Sequence, residues 1–281
     1  MNTYYMLELL RDYIGEVTAS HWSDINLTRR LNVQQRKINM VLGMTMSNWM
    51  VKSTDLTPVA SRVSLPSDCS RPIYLEETTS GIPIRWLRDL KLQSLGKHNG
   101  TNLVFSYASL QAYLESTEIV FNSDSYTTGV TLWYQAKPKD LISGMASAGG
   151  STSLTLPDNA LTILVDDYYN GQTFEVVDGT GAGTVTTISD YVASTRVLTL
   201  AAGTFGADSV FGNVCELPEE AQDLIVLNAA ISALAKPSST IDEKIWSYIV
   251  DERRQANKDF QEWIETRIVG DAEIGIREPG L

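Results

Sequence analysis

The chain has 281 residues, and its 34 acidic and 22 basic side chains give a formal net charge of −12. This length suits one or two domains with a sizeable core that needs no disulfide staples. The acidic balance argues against a protein that holds nucleic acid or an anionic membrane through clustered lysine and arginine.

The charge is unevenly distributed along the chain. Residues 1–142 are nearly neutral, with 14 basic and 13 acidic side chains. Residues 143–215 carry one basic side chain against seven acidic ones, and residues 216–281 carry 7 against 14. The middle block also holds 10 of the 19 glycines and is rich in Thr, Val and Ser. This composition is typical of a β domain with tight turns.

The start of the chain predicts two helices. Apolar side chains recur at helical spacing over residues 4–18, and Ser23 is suited to cap a second helix that begins at Asp24. A short polar connection between them predicts an αα-hairpin. The second helix is expected to expose Arg29, Arg30, Arg36 and Lys37 and to bury Leu27, Leu31, Ile38, Val41 and Leu42.

Strand patterns replace the helical period further along. Residues 58–134 contain short strand-like runs, with a hairpin turn at Thr79–Gly81 and a short helix predicted over 86–95. The strands predicted in the middle block are Ser153–Leu156, Ile163–Val165, Thr173–Val177, Thr184–Ile188 and Val197–Leu200. Their spacing of about ten residues predicts a small sandwich or barrel.

The helical period returns after Pro218. One helix runs to Pro237, and Thr240–Glu243 has the capping-box pattern that opens a helix of about 28 residues ending at Gly270. We therefore predict an α+β protein with a helical-hairpin bundle built from both chain ends, a small β segment and an inserted all-β sandwich or barrel domain. Its parts are a helical body of residues 1–142 and 216–270, the inserted domain 143–215, and a C-terminal tail 271–281.

No set of residues in the sequence predicts catalysis. His21 and His98 lack a Cys or His companion at metal-ligand spacing, and no G-x-S-x-G nucleophile motif occurs. The glycines of 179–183 miss the dinucleotide-binding spacing and precede a strand pattern. The acids of the middle block match no EF-hand loop and are expected to face water, among them Asp158, Asp166 and Asp167. We predict that the chain is not an enzyme and uses no cofactor or metal.

The cysteines and the apolar runs bear on location. Cys69 and Cys215 lie far apart, which predicts free thiols in a reducing compartment. No apolar run reaches the length of a membrane span, and residues 1–18 lack the basic start of a signal peptide. We expect a chain that stays soluble in the cell that makes it.

Several short motifs resemble the head-to-tail adaptor (connector) proteins of tailed bacteriophages. They are His21–Asp24 with Leu27, Leu31–Asn32 and Arg36–Asn39; the strand end Val63–Asp68; and the helix start Leu217–Glu220. The resemblance covers residues 1–142 and 216–270. Within the middle block, Asp166–Gly171 and Gly179–Tyr191 are similar to a β module that recurs in phage structural proteins.

The resemblance implies a structural virion protein at the neck, the head–tail junction, made in the host cytoplasm. Such adaptors form a ring, commonly of twelve subunits, beneath the portal protein. They extend the channel through which double-stranded DNA passes without specific binding, and they dock the tail or tail-completion proteins. The C-terminal segment often reaches the portal, which makes candidate portal- or neighbour-binding residues of Glu273, Ile274, Ile276, Arg277 and Leu281.

Two other functions remain open from the sequence. In the first, the chain is a carbohydrate-binding or host-recognition virion protein, with Tyr168 and Tyr169 of the β block as a stacking platform. In the second, it is a glycan hydrolase that uses paired carboxylates of that block. For the adaptor, some carboxylates of 216–281 are expected to line the channel and those of 143–215 to face solvent.

Overall fold

The computed structural model describes residues 1–16, 21–45, 49–87, 110–123, 126–235 and 243–267. These residues form four helices and three β-sheets, so the protein is of the mixed α+β class. The chain divides into two compact units: Met1–Ser47 with Pro138–Leu281, and Asn48–Lys137. Residues 143–215 lie in the same compact unit as the helices. That they form a separate inserted domain stays a prediction.

Four helices belong to the first unit. They are α1 (Thr3–Ile14), α2 (Asp24–Met44), α3 (Glu219–Leu234) and α4 (Glu243–Arg267). The side chain of Asn2 accepts from the backbone N–H groups at the start of α1, and Ser23 does the same for α2. The helix α3 contacts all three others. Its buried side chains lie all around its axis, as expected of a central helix.

The same unit contains a seven-stranded antiparallel sheet that curls into a half-barrel. Its strands are β8 (Ser143–Met145), β9 (Ala148–Gly149), β10 (Ser153–Thr155), β11 (Thr173–Asp178), β12 (Val185–Val192), β13 (Val197–Leu200) and β14 (Val210–Asn213), in the order β8-β14-β11-β12-β13-β10-β9. Its core includes Tyr169 and Tyr191, edge to face, and Phe174 stacked on Phe211 with ring centroids 5.1 Å apart. These aromatic pairs fill the concave side of the sheet.

The second unit is built from two further sheets. Its strands are β1 (Val51–Leu56), β2 (Arg62–Ser64), β3 (Cys69–Glu77), β4 (Arg85–Trp86), β5 (Gln111–Glu115), β6 (Glu118–Phe121) and β7 (Val130–Ala136). One sheet has the order β1-β7-β3 and the other β2-β6-β5-β4. The predicted turn at Thr79–Gly81 is present, because the N–H of Glu77 donates to Ile82 O on the far side of it.

Several predicted elements are confirmed, and other predictions differ from the structure. Four of the five strands predicted in the middle block match β10 to β13. Residues 163–165 form no strand: Ile163 is held by the hydroxyls of Tyr169 and Tyr191 instead of a ladder. Val41, predicted to be buried, is 38 % exposed. Of the predicted helix 86–95, Trp86 lies in β4 and residues 88–95 lie outside the described residues, as do 240–242 and 270.

A buried amide joins the helices to the seven-stranded sheet. Asn213, the last residue of β14, is fully buried. Its Oδ1 accepts from the N–H of Ile142 (2.7 Å) and the hydroxyl of Thr3 (2.6 Å), and its Nδ2 donates to Asp140 O (2.9 Å) and Gln172 Oε1 (3.1 Å). The one side chain therefore bonds to α1, to the segment before β8 and to the loop before β11.

The helix α2 is tied to the same segment by two more amides. Asn32 Oδ1 accepts from the N–H of Leu141 (2.7 Å), and its Nδ2 donates to Leu141 O (3.1 Å). One turn further along, Gln35 Nε2 donates to Lys139 O (3.2 Å). Buried amides on a helix are costly unless they are paired, so these bonds fix which face of α2 points inward. We call Asn32, Gln35 and Asn213 with their partners the amide joint.

Replacing Asn213 should destabilise the unit strongly. Asn213→Ala leaves the Ile142 N–H, the Asp140 carbonyl and the Thr3 hydroxyl without this partner in a dry site, so we expect a loss of about 3 kcal/mol in the free energy of unfolding. Urea denaturation followed by circular dichroism measures this. The control is Asn26→Ala, an exposed residue of α2, which should cost less than about 0.5 kcal/mol. Equal losses in the two variants would contradict the joint.

Candidate assembly surface

The position of α2 against α3 is fixed by one arginine. The guanidinium of Arg30 lies 4.4 Å from the ring centroid of Trp22. Its Nη1 donates to Ser232 O (2.5 Å) and to Ser232 Oγ (2.9 Å) on α3. Stacking on tryptophan and two hydrogen bonds use both the face and the edge of the guanidinium. Arg30 was predicted to be exposed on α2, and it is instead half-buried as a bridge between two helices.

Two open grooves along α2 are basic. One, of about 430 Å³, lies beside Trp22 and is lined by Arg29, Arg30 and Lys37. The other, of about 300 Å³, lies between α2, α3 and α4 and includes Lys37 and Arg253. Among the described residues that line the two grooves, none is acidic. We call the surface formed by Arg29, Arg30, Lys37 and Arg253 the basic edge.

The opposite side of the four helices is acidic. A groove of about 340 Å³ between α1, α3 and α4 is lined by five carboxylates and no described basic side chain. These carboxylates, the acidic edge, belong to Glu219, Glu220, Asp223, Glu252 and Asp259. Burial, and next the charge of Glu219, raise the pKa of the Asp223 carboxyl above its ordinary 3.8. Tyr13 also lines the groove, with its ring centroid 6.5 Å from that of Tyr248.

Helical geometry separates the two edges. On α3, Asp223 lines the acidic groove and the next residue, Leu224, lines the basic one. On α4, Glu252 and Arg253 divide in the same way. Consecutive residues of an α-helix are about 100° apart around the axis. The two edges therefore lie on different flanks of α3 and of α4.

The spacing of the acidic residues in the sequence contains a signal for the acidic edge. Glu219 and Asp223 are four residues apart and Glu252 and Asp259 seven, which places each pair on one flank of a helix. What the sequence does not show is that α1 and α2 both pack on α3, so that each groove gathers charges from several helices.

The residues predicted to bind the portal lie outside the described part of the chain. They are Glu273, Ile274, Ile276, Arg277 and Leu281. His98 also lies outside it, whereas His21 stands before α2 with its ring edge-on to Trp22. The adaptor assignment of the tail therefore stays a prediction.

The tyrosine platform does not have the predicted exposure. Tyr169 is fully buried in the core of the seven-stranded sheet, and burial raises the pKa of its hydroxyl strongly. Tyr168 is half-buried, and its hydroxyl accepts from the N–H of Asp140 (3.1 Å). A sugar ring stacks on an exposed aromatic face, which Tyr169 does not offer. The carbohydrate-binding alternative stays a prediction without Tyr169 as a stacking residue.

The acids of the middle block make structural contacts. Asp158 pairs with Arg196, and Asp166 Oδ1 accepts from the N–H of Ala193 (2.8 Å). Asp167 accepts from the amide of Asn170 (2.7 Å) across a turn. In the part of the chain that the structure describes, no group of three or more His, Cys, Asp or Glu side chains could hold a metal ion.

Comparison with known proteins adds no relative. No protein-family model and no curated protein matches the sequence. Among the described helices, none is both long enough and apolar enough to cross a membrane.

The two thiols should react slowly in the folded chain. Cys69 and Cys215 are buried and free, and burial raises the pKa of both to about 11. At pH 8 their thiolate fraction is small, so labelling by a disulfide reagent should be about 100-fold slower than in denaturant. An added exposed thiol, Ser151→Cys, is the control and should react at once. Native thiols that react as fast as the control would contradict the burial.

Removing the charge of Asp223 should stabilise the chain at neutral pH. Because the folded pKa of this carboxyl is raised, its stabilising contribution is complete below pH 3.8 and is lost as the pH rises through the folded value. Asp223→Asn stays neutral, so we expect a gain of less than about 1 kcal/mol at pH 7 that shrinks toward pH 4. Urea titrations at both pH values measure it, with Glu265→Gln on the exposed side of α4 as control. A loss of stability at pH 7 would contradict the crowding of charge.

Proposed function

We propose that the chain is a head-to-tail adaptor of a tailed bacteriophage, a structural ring protein beneath the portal. The observation that supports this is the packing of the segments that carry the resemblance. The helix α3, which begins after Leu217–Pro218, packs on α1 and α2, which flank the His21–Asp24 motif. Residues 143–215 separate these segments in sequence. We infer that α1 with α2 and α3 with α4 are two hairpins of one bundle, the adaptor body, with the seven-stranded sheet as its inserted domain.

The charge of the chain suits a DNA channel. Double-stranded DNA must slide through such a ring without being held, and carboxylates repel its phosphates. The exposed side of α4 carries Asp251, Glu262 and Glu265 together with Arg254 and Lys258, which pair with Asp251 and Glu262, so that the side keeps a net charge of −1. We place this side of α4 toward the lumen. The net charge of −12 then favours the passage of DNA through the ring and disfavours its binding.

The tail of the chain supplies the contact with the portal in this proposal. Residues 271–281 combine two isoleucines, Ile274 and Ile276, with charged neighbours, as a segment that inserts into a partner requires. The surfaces left over dock the tail or tail-completion proteins. The protein acts by assembly, without catalysis.

Binding to the portal tests this proposal. The purified chain is mixed with portal rings of the virus that encodes it and imaged by negative-stain electron microscopy. We expect an additional ring on one end of the portal, and a chain shortened to residue 270 should bind at least about tenfold more weakly because the anchor is missing. A full-length chain that ignores portal rings at every concentration would overturn the proposal.

A further inference from the structure

The outer face of α2 is apolar as well as basic. Val33, Met40, Val41 and Met44 are 46 %, 56 %, 38 % and 69 % exposed. With Lys37 they occupy positions i, i+4, i+7, i+8 and i+11, which form one stripe along a helix. A contiguous exposed apolar stripe flanked by charge marks a protein-binding surface rather than a solvated face.

The acidic edge has the matching composition. Its five carboxylates stand beside two aromatic rings, those of Tyr13 and Tyr248, and the Tyr248 side chain is 56 % exposed. Methionine thioethers pack well against aromatic rings, and carboxylates pair with lysine and arginine. The face of α2 and the acidic edge are therefore complementary in both apolar contacts and charge.

Charge also decides which surfaces can meet. A two-fold contact centred on one edge would set that edge against its own copy, and like charges opposite each other are unfavourable. A contact between different edges avoids this. Because the two edges lie on different flanks of α3 and α4, a copy that uses one edge keeps the other edge free, and such a contact repeats from copy to copy.

We propose that the α2 face with the basic edge of one copy docks on the acidic edge of the next copy of this chain, in a head-to-tail contact that closes into a ring. The apolar stripe of α2 is buried against Tyr13 and Tyr248. Arg29 and Lys37 lie opposite Glu220 and Glu252. This inference rests on the proposed adaptor function for the closure of the ring, and it names the partner surface as the chain itself.

Two charge-reversed variants test the contact. The first, Arg29→Glu with Lys37→Glu, lowers the formal charge of the basic edge from +4 to 0, and the second, Glu220→Lys with Glu252→Lys, changes that of the acidic edge from −5 to −1. Self-association is measured by sedimentation velocity over a range of protein concentration, without and with portal rings. Each variant alone should associate about 100-fold more weakly than the original chain. An equimolar mixture should recover, because the reversed residues of one variant face residues of opposite charge on the other.

Controls separate charge placement from folding. Lys258→Glu changes a charge on the exposed side of α4, away from both edges, and should associate as the original chain does. All variants should keep the circular dichroism spectrum and thermal midpoint of the original chain. Added NaCl should weaken association of the original chain, because the paired charges are exposed to solvent.

The outcomes distinguish this inference from the proposed function. Reversed variants that associate as tightly as the original chain, or a mixture that fails to recover, would overturn the head-to-tail contact. An original chain that stays monomeric in both conditions would also overturn it. Association through these edges by a chain that ignores portal rings would keep the inference and overturn the adaptor function. If both reversed variants still form rings on the portal, the adaptor function is kept and the head-to-tail contact is overturned.

Discussion

The structure of the first unit depends on the fully buried side chain of Asn213. A primary amide has two donors and two acceptor positions, and here it serves α1, the segment before β8 and the loop before β11 at once. An apolar side chain of the same size would remove the partner of the Ile142 N–H and bonds to the Asp140 carbonyl and the Gln172 side chain in a dry site. The sheet and the helices are therefore joined by hydrogen bonds whose geometry allows one arrangement. This is a stronger constraint on relative orientation than apolar contact, which is not directional.

The amide joint also determines what α2 presents to solvent. Asn32 and Gln35 face the segment before β8 and make its hydrogen bonds, so the opposite side of the helix must carry Val33, Met40 and Met44 outward. Arg30 then ties the helix to α3. In α2 several polar side chains are buried and several apolar side chains are exposed, which is the reverse of an ordinary surface helix. The reversal is stable because each buried amide is paired, and it provides the apolar surface that we assign to the neighbouring copy.

The sequence predicted the helices and strands better than it predicted how they pack together. Periodicity located α1, α2, α3 and β10 to β13, because their apolar residues follow one period for several turns or pairs. It missed β8, β9 and β14, which are short and contain glycine and small residues. It also predicted a strand at Ile163–Val165, where the structure has a loop whose Ile163 backbone is bonded to tyrosine hydroxyls. It also placed Val41 inside, since a period alone does not show that amides occupy the inner face.

The candidate surface was harder to predict because it is made by three helices distant in sequence. The division of net charge into blocks assigned an acidic excess to residues 216–281, but it did not show how the charges are distributed around the closing helices. In the structure Glu252 and Arg253 are neighbours in sequence and line different grooves. Net charge per block thus conceals a separation of charge across α3 and α4, which only the packing of α1 and α2 reveals.

Native-state hydrogen exchange tests most directly whether the amide joint makes the sheet and the helices one cooperative unit. The N–H groups of Leu141 and Ile142 donate to Asn32 and Asn213, whereas that of Val176 belongs to the sheet. If the joint holds, all three exchange only on global unfolding and give the same free energy of opening within about 0.5 kcal/mol. Exchange at Leu141 and Ile142 with an opening free energy several kcal/mol below that of Val176 would show that the sheet and helices separate locally, and would contradict it.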